Sequence, residues 1–184
     1  MYCRRDLDNR KIAALERLLR VLRADIRRDE PVHVTADFRS YIALPPLSKE
    51  GRITRYRDRW LLLAVCLADD NALRLAVSDR IKRKQKRKRV VDKGQSAIAL
   101  SLRLAKRYRP IEPIAAALRD GVPPPGLLLR QRQVTGAARE GAMVRVGLRT
   151  LSPTRGPMAL ADGDLLLHAI RWAYGAIAAA RRAA

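Results

Sequence analysis

The stretch that decides the fold is WLLLAVCLADDNALRLAVS, residues 60–78. Its first part, Trp60 to Leu67, is continuously apolar, which is typical of a strand covered on both faces of a sheet. The polar group at 69–71 predicts a turn, and apolar residues alternate with others from 73 to 78. The sequence therefore predicts a β-hairpin at the centre of the chain.

The chain before this hairpin predicts a helix and then a strand. Apolar residues in steps of three and four predict an amphipathic helix of about 18 residues that ends before Pro31. This helix either packs on the sheet, which we favour, or forms the seam of a coiled coil. Alternation from Val32 to Arg39 predicts a half-buried strand. The predicted apolar stripe of the helix is Ile12, Leu15, Leu19, Leu22 and Ile26.

The chain after the hairpin mixes strand and helix signals. Residues 96–107 alternate like a strand, but Ser96 could cap a helix that ends before Pro110, and we favour the helix. A short helix is predicted over 113–119, strands over 127–134 and 142–151, and a final helix over 165–182, capped by Asp162 or Asp164. The fold class is therefore α+β: a mainly antiparallel sheet with an N-terminal amphipathic helix, a projecting basic arm and a C-terminal helix.

The proline-rich segment 122–126 is the one candidate domain boundary. It divides the chain into an α+β part, 1–121, which carries the arm, and a β-hairpin with a helix, 127–184. We expect the second part to pack on the first.

The charge of the chain points to a polyanionic partner. Lys and Arg number 39 against 18 Asp and Glu, a net charge of +21, while 48% of residues are hydrophobic and predict a folded chain. Small soluble domains usually carry a net charge of about 2–8. Positive charges in this excess repel one another and destabilise the folded state. A bound polyanion would neutralise them and remove this destabilisation.

The densest basic segment is RIKRKQKRKR, residues 80–89, with eight basic residues in ten. Mutual repulsion predicts a mobile loop or hairpin tip that binds phosphate groups. The alternatives are a nuclear-localisation signal and an anionic membrane surface, although no apolar anchor accompanies the tract.

Further basic residues flank aromatic ones before and after this segment. Tyr56 and Tyr108 could stack on unpaired bases, or they could form the edge of the core. Trp60 and Trp172 are expected in the core. Aromatic residues make up only 4% of the chain, so backbone contacts are expected to supply most of the affinity. The predicted nucleic-acid contacts are Arg80, Lys82, Arg83, Lys84, Lys86, Arg87, Lys88, Arg89, Lys93, Arg52, Arg55, Arg57, Arg59, Tyr56, Lys106, Arg107, Tyr108 and Arg109.

A catalytic interpretation rests on three acidic residues. Asp37 in a strand, with Asp69 and Asp70 at a hairpin turn, resembles the start of an RNase H-like nuclease or transposase core, which would imply bound Mg²⁺. The alternative is that Asp69 and Asp70 only form the turn. The histidines are isolated, and Cys3 and Cys66 have no zinc or disulfide spacing. We therefore assign no catalytic residue, metal ligand or cofactor.

A second resemblance lies near the C-terminus. Arg145 to Arg155, RVGLRTLSPTR, followed by a loop and a helix, resembles the strand, "SPT" and helix opening of ferredoxin-like, CRISPR-associated RNA-binding proteins. The glycine-rich loop of that family is absent, so no residue role is carried over.

These observations predict a protein that binds nucleic acid, RNA favoured, with little sequence dependence. It would act through phosphate contacts, with other proteins, in a larger nucleoprotein assembly. The alternatives are a metal-dependent nuclease or a structural protein of a viral particle. No membrane partner is expected, because no run of about 18 apolar residues is present. The expected location is the cytoplasm, on a nucleoid or ribonucleoprotein, or the nucleus of a eukaryote.

Overall fold

A computed structural model describes residues 7–105, 111–137, 141–151 and 158–183. Three α-helices and seven strands form this part of the chain, together with one turn of 3-10 helix at Tyr41–Ala43. The helices are α1, Asn9–Leu22; α2, Glu112–Asp120; and α3, Gly163–Ala183. The strands are β1, His33–Ala36; β2, Ser48–Glu50; β3, Ile53–Cys66; β4, Ala72–Gln85; β5, Val90–Leu104; β6, Leu127–Ala137; and β7, Gly141–Thr150.

The strands form one antiparallel sheet in the order β1-β3-β4-β5-β7-β6, and β2 also pairs with β3. The predicted α+β class and the mainly antiparallel sheet are therefore confirmed. The predicted hairpin over residues 60–78 lies at its centre as β3 and β4, joined by the turn at 67–71. β7 pairs directly with β5, so the C-terminal strands belong to the same sheet as the first part of the chain.

One hydrophobic core joins all three helices to one face of the sheet. Its helical members include Leu18, Leu118 and Ile170, and its strand members are alternate residues such as Leu75 and Leu100. Because side chains alternate along a strand, the residues between them point to the other side. We call the side that carries the core the helix face and the other side the open face.

The prediction that the strand from Trp60 to Leu67 is covered on both faces is wrong. Leu62 is 53% exposed on the open face. A register shift between Arg59 and Leu61 lets two consecutive residues, Trp60 and Leu61, both be buried. The continuous apolar run therefore reflects a β-bulge as well as apolar residues left on the open face.

The helix favoured for residues 96–107 is also wrong, because residues 96–104 belong to strand β5. It pairs with β4 along one edge and with β7 along the other. Ser96 caps no helix there; its buried hydroxyl donates to Asp79 (2.5 Å) and accepts from the Ala161 amide (2.7 Å). The alternation of apolar residues was thus the correct signal.

The buried side of α1 differs from the predicted stripe, and the helix is shorter than expected. Ile12 is 38% exposed, whereas Lys11 and Ala14 are buried. The helix turns towards Lys11 because this side chain pairs with buried Asp58, Nζ to Oδ2 2.6 Å. β1 is likewise shorter than predicted, and Val34 stays exposed because β1 is an edge strand.

The other predicted elements agree with the structure to within a few residues. Helix α2 and strands β6 and β7 occupy the predicted places. Asp162 caps α3, because its carboxylate accepts from the Leu165 amide at 2.8 Å. Residues 152–157, with the SPT segment, lie outside the described residues.

Candidate nucleic-acid interface

The alternation of side chains places the basic residues of the central strands on the open face. In β3 these are the odd-numbered arginines, and in β4 they are the even-numbered cations. Of the basic residues in β3, β4, β5 and β7, only Arg83 points to the helix face. The open-face cations of these strands are Arg55, Arg57, Arg59, Arg74, Arg80, Lys82, Lys84, Lys93, Arg103, Arg145 and Arg149.

These cations lie opposite one another across the strands. Arg57 is paired in register with Arg80, and Lys82 lies between Arg55 and Lys93. Side chains in such pairs start only about 4.5–5.5 Å apart, and like charges at that separation repel. The open face therefore concentrates positive charge instead of balancing it.

The acidic residues of the same strands point the other way. Asp58, Asp79 and Asp92 lie on the helix face, where each meets a cation or a hydroxyl group. Asp79 accepts from Arg10 at 2.6 Å and from Ser96. Asp92 accepts from the Tyr41 hydroxyl and lies 3.9 Å from Arg83. The carboxylates of β3, β4 and β5 therefore lie on the helix face, while nearly all the cations of the same strands lie on the open face.

Two of the helix-face carboxylates, Asp58 and Asp79, are deeply buried. Burial raises the pKa of Asp58, against the lowering effect of Lys11, and it also raises the pKa of Asp79, against that of Arg10. Lys11 donates in addition to the carbonyl groups of Asp37 (3.1 Å) and Arg39 (2.6 Å). This polar cluster holds α1 against the sheet and keeps negative charge away from the open face.

Most open-face cations have no acidic partner in the part of the chain that the structure describes. The exception is Arg55, whose guanidinium lies 2.5 Å from Glu50. Arg149 carries a buried Nε atom without a hydrogen-bond partner. The exposed open-face cations that have no acidic partner are available to an external anion.

Shallow grooves follow the open face, and two adjoining ones share Arg57 and Arg80 in their lining. The larger of these two has a volume of about 810 Å³ and is lined by small residues and by arginines, among them Arg57, Arg80, Arg130 and Arg149. The neighbouring one, about 590 Å³, is lined by Arg55, Lys82 and Lys93. The floor of the larger groove includes Ala76, Ser78, Ala97, Ala99 and Gly147. Small side chains there let a ligand approach the sheet closely.

The basic segment 80–89 forms the end of the β4–β5 hairpin. Arg80 to Gln85 belong to β4, and a tight turn is closed by the Lys86 amide, which donates to the Arg89 carbonyl at 2.8 Å. The side chains from 84 to 89 are exposed. Arg52 lies in the adjacent turn, and its carbonyl accepts from the Gln85 amide at 2.9 Å. We call residues 84–89 the basic tip.

The aromatic residues near these cations lie on the helix face. The Tyr56 ring packs edge to face on Tyr41, with centroids 5.3 Å apart, and Trp60 is buried beneath the Arg10 guanidinium. Tyr56 is therefore not on the same surface as Arg55 and Arg57, because neighbouring strand residues point in opposite directions. The predicted contacts Lys106, Arg107, Tyr108 and Arg109 lie outside the described residues.

Several open-face arginines were missed by the sequence interpretation because they are isolated in the chain. Arg74, Arg103 and Arg145 are each a single cation between apolar residues, unlike the dense run at 80–89. The strict alternation of apolar residues with Arg145 and Arg149 in β7 was the signal that could have found two of them. The missed residues are Arg74, Arg103, Arg130, Arg145 and Arg149.

The acidic residues of the catalytic interpretation are far apart. The Asp37 amide donates to the Trp60 carbonyl, whereas Asp69 and Asp70 follow the other end of β3. Six residues of strand separate the two places, about 20 Å. The Asp37 carboxylate accepts from Arg39 at 2.7 Å, which lowers its pKa. Within the described ranges, no group of three His, Cys, Asp or Glu residues is placed to hold a metal ion.

Comparisons of the chain with models of protein families, with curated proteins and with solved structures found no match. Among the helices of the described ranges, none combines the length and apolarity needed to cross a membrane.

Proposed function

We propose that this protein binds nucleic acid through the phosphate backbone, with little dependence on base sequence. The open face supplies the main contacts, and the basic tip acts as an arm that reaches further along the ligand. The observation that carries this proposal is the separation of charge across the sheet, with the carboxylates of β3, β4 and β5 on the helix face and almost all the cations on the open face.

The size of the basic surface favours a polymer as the ligand. Along β4 alone the open-face cations run from Arg74 to Lys84, ten residues or about 34 Å. A small anion would contact only a few of these cations. Duplex DNA carries one negative charge for about every 1.7 Å of its axis, so a nucleic acid can neutralise the whole surface.

The side chains of the open face favour backbone contacts over base recognition. Arginine and lysine bind phosphate groups without reading the sequence. The two aromatic residues of the strands, Tyr56 and Trp60, point to the helix face and leave the strand surface without a stacking platform. Binding by this surface is therefore sequence-tolerant.

The test is a binding titration with labelled DNA and RNA oligonucleotides of mixed sequence at about 50 mM salt. We compare an open-face variant, Arg57→Gln, Arg59→Gln, Arg80→Gln and Arg149→Gln, with a control of equal charge. The control carries Arg20→Gln, Arg23→Gln, Arg28→Gln and Arg171→Gln, all at exposed positions away from the open face.

We expect the natural protein to bind and the open-face variant to lose affinity about tenfold or more, because several phosphate contacts are lost. The control should stay within about twofold, because it changes only the net charge and one exposed ion pair, that of Arg20 with Glu16. An equal loss of affinity in both variants would show that the interface lies elsewhere on the protein. No binding of any oligonucleotide by the natural protein would refute the function.

A further inference from the structure

The open-face cations form two groups separated by an uncharged row. The row consists of four residues paired in register across the strands. It is Leu62, Ala76, Ala99 and Gly147. The base-side cations, Arg74, Arg103 and Arg145, lie towards the β3–β4 turn. The tip-side cations, Arg55, Arg57, Arg59, Arg80, Lys82, Lys84, Lys93 and Arg149, lie towards the basic tip.

The distance between the two groups matches a groove of a double helix. Arg145 and Arg149 are four residues apart on β7, which separates their Cα atoms by about 13–14 Å. The major groove of B-form DNA is about 12 Å wide. Two phosphate backbones that border one groove could therefore each follow one group of cations, with the uncharged row facing the groove between them.

The surface between the groups has nothing that would hold unpaired bases. Proteins that bind single strands usually stack the bases on aromatic side chains, at about 1–3 kcal/mol per base. The row offers one leucine, two alanines and a glycine. A duplex has its bases already stacked and needs only phosphate contacts from the protein, which this face supplies.

We infer that the open face binds double-stranded nucleic acid, with one backbone on the tip-side cations and the other on the base-side cations. This inference rests on the proposed function and narrows it to one class of ligand. DNA and RNA duplexes both present two phosphate backbones that border a groove, although the groove dimensions of A-form RNA differ from those of B-form DNA, so the test includes both.

The experiment measures affinities for a duplex of about 20 base pairs, or two helical turns, and for each of its single strands, as DNA and as RNA. The natural protein is compared with Arg74→Gln/Arg145→Gln, from the base-side group, and with Arg59→Gln/Arg149→Gln, from the tip-side group. Arg23→Gln/Arg28→Gln is the matched control, and thermal unfolding checks that all variants are folded.

We expect at least one duplex to bind about tenfold more tightly than its single strands, since both cation groups then find phosphates. Both open-face pairs of substitutions should weaken duplex binding to a similar extent, and the control pair should not. The preferred duplex identifies the ligand as DNA or RNA. The inference would be overturned if the single strands bound as tightly as the duplex, or if the base-side substitutions did not change duplex affinity. Neither result would contradict the proposed function. Failure of every nucleic acid to bind would refute both.

Discussion

Arg57 of β3 lies directly opposite Arg80 of β4 on the open face of the sheet. One residue further along each strand, Asp58 lies opposite Asp79 on the helix face. Both pairs bring like charges together, and both are unfavourable by themselves. The acidic pair is stabilised by Lys11 and Arg10 of α1. The arginine pair has no such partner among the described residues, and we attribute its role to the binding of phosphate.

Removing this arginine pair should raise stability while it weakens binding. We expect Arg57→Gln/Arg80→Gln to increase the free energy of unfolding by about 0.2–1 kcal/mol, because direct repulsion across the strands is lost. Affinity for nucleic acid should fall in the same variant. Urea denaturation and a binding titration check the two effects, and a loss of stability together with unchanged binding would show that the pair is structural.

Neutralising the basic tip should change the salt dependence of binding and leave the fold intact. Lys86, Arg87, Lys88 and Arg89 are exposed, so their replacement by Gln removes no core contact. Each phosphate contact that is lost should flatten the slope of log affinity against log salt concentration by about 0.9 for a duplex. Titrations at several salt concentrations measure this slope. An unchanged slope would exclude the tip from the interface.

The buried ion pair between Lys11 and Asp58 should be essential to the attachment of α1. Lys11→Met leaves the Asp58 carboxylate buried without its cation, which we expect to cost about 3–5 kcal/mol. The double variant Lys11→Met/Asp58→Leu should recover most of this loss, because no charge is left unpaired. Denaturant unfolding of both variants is the measurement. A loss below about 1 kcal/mol in the single variant would contradict the role of the pair.

The buried carboxyl group of Asp79 should make stability fall as pH rises. Burial raises its pKa above 3.8 in the folded state, so the folded protein holds this proton longer than the unfolded chain does. Its contribution is fully present below pH 3.8 and is lost as the pH rises through the folded pKa.

The matched variant for this effect is Asp79→Asn, which cannot titrate. We expect the stability of the natural protein relative to Asp79→Asn to decrease as the pH is raised from 3.8 towards neutrality, measured by denaturant unfolding at each pH. A relative stability that increases over this range would mean that the Arg10 ion pair outweighs burial.

The sequence predicted the fold where its periodicity was unambiguous. The hairpin from Trp60 to Val77 and the C-terminal helix follow from alternation and from helical spacing. The segment at Ser96 was misassigned because a serine before apolar residues is typical of a helix cap as well as of a strand. The buried side of α1 was missed because hydropathy places Lys11 outside, whereas its partner Asp58 draws it into the core.

The candidate site could be predicted only in part, because most of its residues come together through strand pairing and are not neighbours in the sequence. The run at 80–89 is visible as a run, but Arg74, Arg145 and Arg149 are far apart in the sequence. Only the pairing of β4, β5 and β7 brings them to one surface. Tyr56 shows the opposite case, since it is next to Arg55 and Arg57 in the sequence and on the other face in the sheet.

The most direct test of the account follows the arginine side chains themselves when a nucleic acid is added. At 20.7 kDa the protein suits nuclear magnetic resonance, in which the Nε–H signal of each arginine reports a contact with phosphate. We predict shifts for the exposed Arg57, Arg59 and Arg80, while Arg132, whose guanidinium donates to the Leu118 and Arg119 carbonyls of α2, stays unchanged. Shifts confined to arginines outside the open face would contradict the account.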